Sequence, residues 1–174
     1  MSIPPKAPTR VSRLLAEMEA EGLQMNVQIC HDVLRVLSVH MDYLLRIDIL
    51  QYMRRQWLQL NTDGYHWVAA ALFREGQLEL ALTHLEDMRK DNVPIQSWLY
   101  DIALYTMLET NEFHEALNIV KDRIAANDWT INRNLWAHML DRSAAFFHYE
   151  SAIYVWNSQV IPGYVIPSSG TCMN

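Results

Sequence analysis

The sequence predicts an all-α protein, an α-solenoid built from stacked helix-turn-helix hairpins. Two observations lead to this prediction. Apolar residues recur at the i, i+4, i+7 spacing that places them on one face of a helix, and similar segments return every 35 residues. No segment alternates apolar and polar residues over six positions, so the chain contains no signal for a strand.

The repeat is clearest where the second helix of each hairpin ends. Met18, Met53 and Met88 are separated by 35 residues, and Arg123 stands at the next such interval. Four residues after each of these positions the chain has Gly22, Trp57, Asn92 and Asn127. Glycine and asparagine tolerate the positive φ that caps a helix C-terminus, so this series predicts that helices end at these positions.

Each full repeat is predicted to contain two helices of about three turns. The second helices of three repeats contain apolar triplets, which are Tyr43, Ile47 and Leu50, then Leu78, Leu82 and Leu85, then Phe113, Leu117 and Val120. A first helix with its own apolar face precedes each triplet, and Gly76 marks the turn between two helices. One hairpin cannot bury such faces alone, so neighbouring hairpins are expected to stack.

In chain order, these signals divide the sequence into three parts. An N-terminal segment with half a repeat spans 1–26, the repeat region spans 27–166, and an irregular tail spans 167–174. The repeat region divides into units at 27–61, 62–96, 97–131 and 132–166. The fourth unit matches the pattern weakly, because Ser151 stands where the second and third units have alanine.

Composition limits the possible functions. The chain has 14 lysines and arginines against 20 aspartates and glutamates, a net charge of −6, and the second and third repeats are acidic. This balance is unlike that of a typical nucleic-acid-binding domain. No apolar stretch is long enough to span a bilayer. Cys30 and Cys172 lie 142 residues apart, which predicts neither a disulfide framework nor a metal site.

The sequence contains no constellation typical of catalysis. There is no HExxH motif, no glycine-rich phosphate loop and no paired cysteine–histidine set among the seven histidines. We therefore expect a non-catalytic protein with no cofactor, no metal and no small-molecule substrate.

The second repeat resembles a pentatricopeptide repeat. That family has a tyrosine near the start of the first helix, glycine at the turn, an alanine–leucine pair in the second helix, and near its end an acidic residue with methionine, followed by glycine and proline. The corresponding residues are Tyr65, Gly76, Ala81, Leu82, Asp87, Met88, Asn92 and Pro94. The resemblance implies the α-solenoid fold, single-stranded RNA binding in a concave groove, and a mitochondrial or chloroplast location, of which we expect the mitochondrion.

The resemblance also implies where bases would be recognised. The positions are His31 with Asn61, His66 with Gln96, Asp101 with Ile131, and Trp136 with Ile166. None of these pairs matches the family's usual combination of Asn, Thr or Ser with Asp, Asn or Ser. Isoleucine cannot hydrogen-bond a base edge at all. These residues argue against a code of one base per repeat.

The six tryptophans leave two interpretations open. Trp98 and Trp136 lie on the helix face that in the family lines the groove, where they would stack bases or anchor a protein partner, or else they pack in the core. Gap filling between repeats is the expected role of Trp57, Trp67, Trp129 and Trp156. The predicted groove or partner-binding residues are His31, Asn61, His66, Gln96, Trp98, Asp101, Arg133 and Trp136.

Two functions follow from these observations. The first is a repeat module in mitochondrial RNA metabolism or translation that holds RNA or a ribonucleoprotein partner in its groove. The alternative is a protein–protein scaffold, or an accessory subunit of a large mitochondrial assembly, with no direct RNA recognition. The acidic charge and the unmatched base-recognition pairs favour the alternative, and the family resemblance favours RNA.

Overall fold

The structure is a computed structural model that describes residues 10–168, 170 and 171. Cys172 and the proline-containing segment 1–9 lie outside the described residues. The described part of the chain contains nine α-helices and no strand, in agreement with the all-α prediction. The helices are Arg10–Ala20 (α1), Val27–Leu37 (α2), Tyr43–Arg55 (α3), Thr62–Arg74 (α4), Leu78–Lys90 (α5), Ser97–Glu109 (α6), Phe113–Ala125 (α7), Arg133–Ala145 (α8) and Tyr149–Val155 (α9).

A single helix is followed in sequence by four helix pairs, which matches the predicted half repeat and four repeats. The chain divides into two compact units, and the boundary lies between Ala71 and Leu72 within α4. In the first unit, α2 packs on α3, with Leu34, Ile49 and Met53 fully buried. The Tyr52 hydroxyl donates to the carbonyl of Met25 at 3.0 Å and so ties α3 to the residues before α2.

In the second unit, α6 packs against both α7 and α8, and α9 packs against α7 and α8. Its core contains Leu104, Met107, Leu117 and Met139, all fully buried. Beyond α9 the helix continues as a π-helical turn, Trp156–Val160. The predicted stacking of helical hairpins is therefore observed within this unit.

The methionine series marks a backbone motif that closes each repeat. The amide of Leu58 donates to the carbonyl of Met53 at 2.9 Å, and the amide of Val93 donates to that of Met88 at 2.8 Å. The same bond joins Leu23 to Met18 and Asp128 to Arg123. The residue before each donor has positive φ, at Gly22, Trp57, Asn92 and Asn127. This is the Schellman motif, which satisfies carbonyls at a helix end.

The fourth repeat departs from the predicted 35-residue period. Six residues, 91–96, separate α5 from α6, whereas seven, 126–132, separate α7 from α8. The buried side chains of α8 therefore lie 36 residues after their counterparts in α6, as Trp136 does after Tyr100. In α9 the buried residue Ser151 is again 35 residues after the buried Ala116. The insertion thus changes the register of α8 alone.

Exposed ion pairs connect α7 to α9. Lys121 Nζ donates to Glu150 Oε1 at 3.0 Å, and His114 Nδ1 lies 4.0 Å from Glu150 Oε2. The hydrogen bond from Lys121, and then its positive charge, lower the pKa of the Glu150 carboxyl below its ordinary value. The ionised carboxylate is therefore favoured in the folded protein.

This pKa shift predicts a pH-dependent effect of Glu150→Gln. A carboxyl whose folded pKa is below its unfolded pKa stabilises the fold above the unfolded pKa, and this contribution is lost as the pH falls through the folded pKa. We expect the variant to unfold at lower urea concentration than the wild type at pH 7, and at the same concentration at pH 3. Glu86→Gln, in exposed α5 surface, is the control. A difference that persists at pH 3 would contradict the assignment.

Candidate nucleic-acid interface

The predicted interface comprises the start of the first helix of each repeat and the residue just before it. In the first unit this includes His31, Asn61 and His66. In the second it includes Gln96, Trp98, Asp101, Arg133 and Trp136. Each of these side chains has a defined environment, and most of them are not available to a ligand.

His31 is buried, with 4% of its surface exposed. Its Nε2 accepts a hydrogen bond from the Asn61 backbone amide at 3.2 Å, and its ring meets the Trp67 ring edge-on at 6.3 Å. Because Nε2 accepts, the proton of the neutral ring resides on Nδ1. The hydrogen bond to His31 therefore connects α2 to the residue directly before α4. The buried ring has no exposed edge that a base could contact.

Asn61 caps α4. Its Oδ1 accepts from the Gly64 amide at 2.7 Å, which satisfies one of the unpaired amides of the first helical turn. Gly64 lies so close to its neighbours that a β-carbon would come 3.0 Å from Leu60, 3.1 Å from His31 and 3.2 Å from Asn61. The predicted pair His31–Asn61 is therefore brought together as a structural clamp.

His66 is still more deeply buried, with 1% of its surface exposed. Its Nδ1 lies 2.6 Å from the carbonyl of Thr62, one helical turn earlier in α4, and donates to it. The prediction that His31 and His66 line an accessible groove is wrong for side chains buried to this extent. The physical reason is that both rings satisfy backbone groups at the N-terminal end of α4, which requires them to point inward.

Gln96 and Trp98 are the predicted residues best suited to contact a ligand. Gln96 is exposed and precedes α6 without capping it, whereas Trp98 is partly exposed in the first turn of that helix. The indole Nε1 of Trp98 donates to Gln96 Oε1 at 2.6 Å. This bond orients the indole ring and leaves part of its surface accessible.

Asp101 follows in the next turn of α6 and is engaged within the protein. It accepts a hydrogen bond from Nε1 of the buried Trp129 at 3.0 Å, and the Trp129 ring lies 5.5 Å from that of Tyr100.

The gap-filling role predicted for Trp129 is confirmed, but the same expectation is wrong for Trp57, which is 92% exposed. Trp67 is half-buried, and Trp156 is exposed.

Trp136 is buried, with 3% of its surface exposed, and its ring lies 6.4 Å from that of Tyr154. The prediction that it lines a groove is wrong, because the extra residue before α8 moves it into the core position that Tyr100 occupies in α6. Ala137 instead takes the position of Asp101. Arg133, in the first turn of α8, is exposed and remains a candidate contact.

The same insertion changes the third base-recognition pair. Ile131 is buried, and Asn132 takes the position immediately before α8 that Gln96 takes before α6. The side chain of Asn132 accepts from the Leu135 amide at 2.9 Å, and Asn26 caps α2 in the same way through the Ile29 amide. An asparagine directly before an apolar helix is an N-cap signal, so these two residues could have been identified from the sequence.

Within residues 10–168, 170 and 171, no three side chains of His, Cys, Asp or Glu are grouped to hold a metal ion. Burial raises the pKa of the Cys30 thiol, which keeps it protonated and unreactive. Among the described helices, none is long and apolar enough to cross a bilayer.

A separate apolar surface lies on the second unit, where α8 meets α9. It contains a cavity of about 180 Å³ lined by Leu140, Ala144, Phe147, Ile153 and Trp156, among others. Phe147 has a φ of 58° and is exposed, as are Ile153 and Trp156. Exposed apolar clusters of this kind are typical of protein-binding surfaces.

Comparison with known proteins identifies the repeat. A family model described as "Pentatricopeptide repeat-containing protein" matches residues 28–159. No curated protein sequence matches the chain.

Solved structures with the same fold have low sequence identity. The pentatricopeptide repeat protein PPR10 from maize matches with a TM-score of 0.67 and 17% identity, over 91% of this chain and 22% of that chain. The structure of PPR10 in complex with an 18-nt psaJ RNA element matches with a TM-score of 0.66 and 13% identity, over 91% of this chain and 23% of that one.

The PPR domain of Arabidopsis thaliana protein-only RNase P 1, solved in complex with tRNA, matches with a TM-score of 0.69 and 16% identity, over 94% of this chain and 85% of that chain. The chain thus spans less than a quarter of PPR10 but most of the RNase P repeat domain. The predicted α-solenoid class is confirmed by these matches.

The close packing around Gly64 predicts an unusual effect of Gly64→Ala. In an ordinary helix this change stabilises by about 1 kcal/mol. Here the new β-carbon forces His31, Leu60 and Asn61 apart, so we expect a loss of about 1–3 kcal/mol in the free energy of unfolding, measured in urea. Asp63→Ala, one residue earlier on the exposed surface, should change it by less than about 0.5 kcal/mol. A more stable Gly64→Ala protein would contradict the clamp.

Proposed function

Because the chain belongs to the pentatricopeptide repeat family, we propose that it is a non-catalytic helical-repeat module that binds single-stranded RNA, alone or within a ribonucleoprotein. We further propose that it acts in mitochondrial RNA metabolism or translation. The mitochondrial assignment is supported only by association with the family. The RNA assignment is also supported by the two relatives of the same fold that were solved with RNA.

The observation that best supports RNA binding is the Gln96–Trp98 pair. An indole that is oriented by a hydrogen bond and partly exposed provides a flat surface on which a base can stack. It lies at the start of a first helix, where the family contacts RNA. The exposed Arg133, at the start of the next first helix, supplies a positive charge suited to phosphate.

The proposed mode of binding has little sequence preference. The His31, Asn61, His66 and Asp101 side chains at the base-recognition positions are all occupied by hydrogen bonds within the protein. Recognition of a base edge would require breaking these bonds and leaving buried polar groups unpaired. Stacking on tryptophan does not depend on the identity of the base, since every base has a flat aromatic face.

This proposal predicts that the protein binds short single-stranded RNAs of different sequence with similar affinity, and that binding weakens as salt rises. Trp98→Ala should lower the affinity about tenfold, the expected loss for one stacked base, whereas Trp98→Phe should retain most of it. Fluorescence anisotropy with labelled homopolymers measures both effects, and thermal unfolding checks that each variant is folded. Trp156→Ala is the matched control. A salt concentration of about 50 mM is well below physiological ionic strength, so binding should be detectable there. If no RNA binds under these conditions, the RNA function is refuted.

A protein–protein scaffold is the second candidate, and the apolar surface of α8 and α9 favours it. The exposed residues of that surface replace polar ones at the equivalent positions of the preceding repeat. Phe147 corresponds to Asn111, which has positive φ at the same turn 36 residues earlier, and Ile153 corresponds to Asn118, 35 residues earlier. Trp156 likewise corresponds to Lys121, which forms an ion pair with Glu150. A partner for this surface would have to present an apolar helical face.

The scaffold function predicts that Ile153→Asp disrupts a stable protein complex without unfolding the chain, because Ile153 is exposed. A protein that purifies with the wild type in a fixed ratio should be lost from the variant, while RNA binding and thermal stability are unchanged. Quantitative mass spectrometry of the two preparations measures this, with Asn118→Asp as the control. If the Ile153→Asp variant retains the same partner, the surface of α8 and α9 is not the site that binds it.

A further inference from the structure

We propose that Trp57, with Arg54 and Arg55, forms a base-stacking site for single-stranded RNA at the turn between α3 and α4. This site is separate in sequence from the base-recognition positions that the family resemblance implies. The inference rests on the proposed RNA function and adds to it the location of one contact.

Trp57 occupies a backbone position that disfavours its own side chain. The four turns that close α1, α3, α5 and α7 all place one residue at positive φ, and three of them use glycine or asparagine, at Gly22, Asn92 and Asn127. Trp57 has a φ of 56° at the equivalent position. A bulky side chain is strained in this region of backbone conformation, whereas glycine and asparagine adopt it readily.

The side chain gains nothing from the fold in return for this strain. Trp57 is 92% exposed, so its indole buries almost no surface and fills no gap between helices. A large aromatic side chain that is both strained and exposed indicates a role outside the fold of the free protein.

Hydrogen bonds hold the backbone of the turn that carries this indole. The amide of Trp57 donates to the carbonyl of Arg54 at 3.3 Å, and the amide of Leu58 donates to that of Met53 at 2.9 Å. Further along, the amide of Asn61 donates to His31 at 3.2 Å. Both ends of the turn are therefore anchored, which reduces the conformational entropy lost when a ligand binds.

The charge around Trp57 suits a phosphate backbone. Arg54 and Arg55 are exposed in the last turn of α3, and the 14 residues from 49 to 62 contain no aspartate or glutamate. The repeat 27–61 has four arginines against three aspartates, in contrast to the acidic second and third repeats. An exposed tryptophan that follows two exposed arginines within three residues matches a base and its flanking phosphates.

The surroundings of Trp57 also favour RNA over a protein partner. A protein hot spot normally lies within a continuous apolar patch that excludes water. Close to Trp57 in the sequence, Gln56 and Gln59 are exposed, and Leu58 is partly buried. An exposed aromatic ring that is flanked in the sequence by polar and cationic side chains is suited to stacking a single base.

The decisive variant is Trp57→Asn, which gives this turn the residue found at two equivalent turns. We expect its melting temperature to rise, because the strain is relieved, and its affinity for oligo(U) to fall at least fivefold. Trp57→Phe should retain most of the affinity, since phenylalanine also stacks. The double variant Arg54→Gln, Arg55→Gln should reduce the slope of log K against log[salt] by about 1.4, as for two lost phosphate contacts on a single strand. Asn92→Gly is the matched turn control and should leave binding unchanged.

The outcomes separate this inference from the proposed function. If the wild type binds oligo(U) and Trp57→Asn binds equally well, the inference is overturned and the RNA function stands. If the wild type does not bind RNA, both fail. A lower melting temperature for Trp57→Asn would show that Trp57 supports the fold and would overturn the inference. Loss of a co-purifying protein with unchanged RNA affinity would identify a protein contact instead.

Discussion

The repeat structure depends on one backbone constraint, the closure of a second helix by a residue of positive φ. At each such turn an amide bonds to the carbonyl five residues earlier, as Leu58 does to Met53. This bond ends the helix at a defined residue and directs the chain into the next first helix. Because it recurs at 35-residue intervals, the apolar faces of α3, α5 and α7 begin at equivalent positions. Packing of α6 with α7 and α8 then buries the faces that a single hairpin leaves exposed.

The start of each first helix is subject to a second requirement, which explains why the base-recognition positions are occupied. A helix N-terminus has amides without partners, and Asn26, Asn61 and Asn132 each satisfy one of them. His31 accepts the Asn61 amide, and His66 donates to a carbonyl of the same turn. These bonds favour the folded chain, and they remove the polar edges that a base would require. The family fold is thus retained while the side chains at the positions implied for base recognition serve structural roles.

The remaining accessible surfaces differ in chemistry, and this difference separates the two functions. Trp98 and Trp57 are tryptophans among polar or cationic neighbours, an arrangement suited to stacking a base. The surface of α8 and α9 is a continuous apolar patch around a cavity and is suited to another helix. An RNA contact is sensitive to salt, whereas an apolar contact is not. The two activities can therefore be measured independently in one protein.

The sequence by itself determined the features that depend on consecutive residues. The spacing of apolar residues predicted the helices, and Gly22, Asn92 and Asn127 predicted where helices end, because helix periodicity and positive φ are local properties of the chain. Burial was decided only by the tertiary structure. His31 and Trp98 are both polar-tipped rings on first helices, yet one is buried and the other is partly exposed. The insertion before α8 moved Trp136 into the core, and Trp57 remained on the surface, because each outcome depends on which distant side chains pack against the residue.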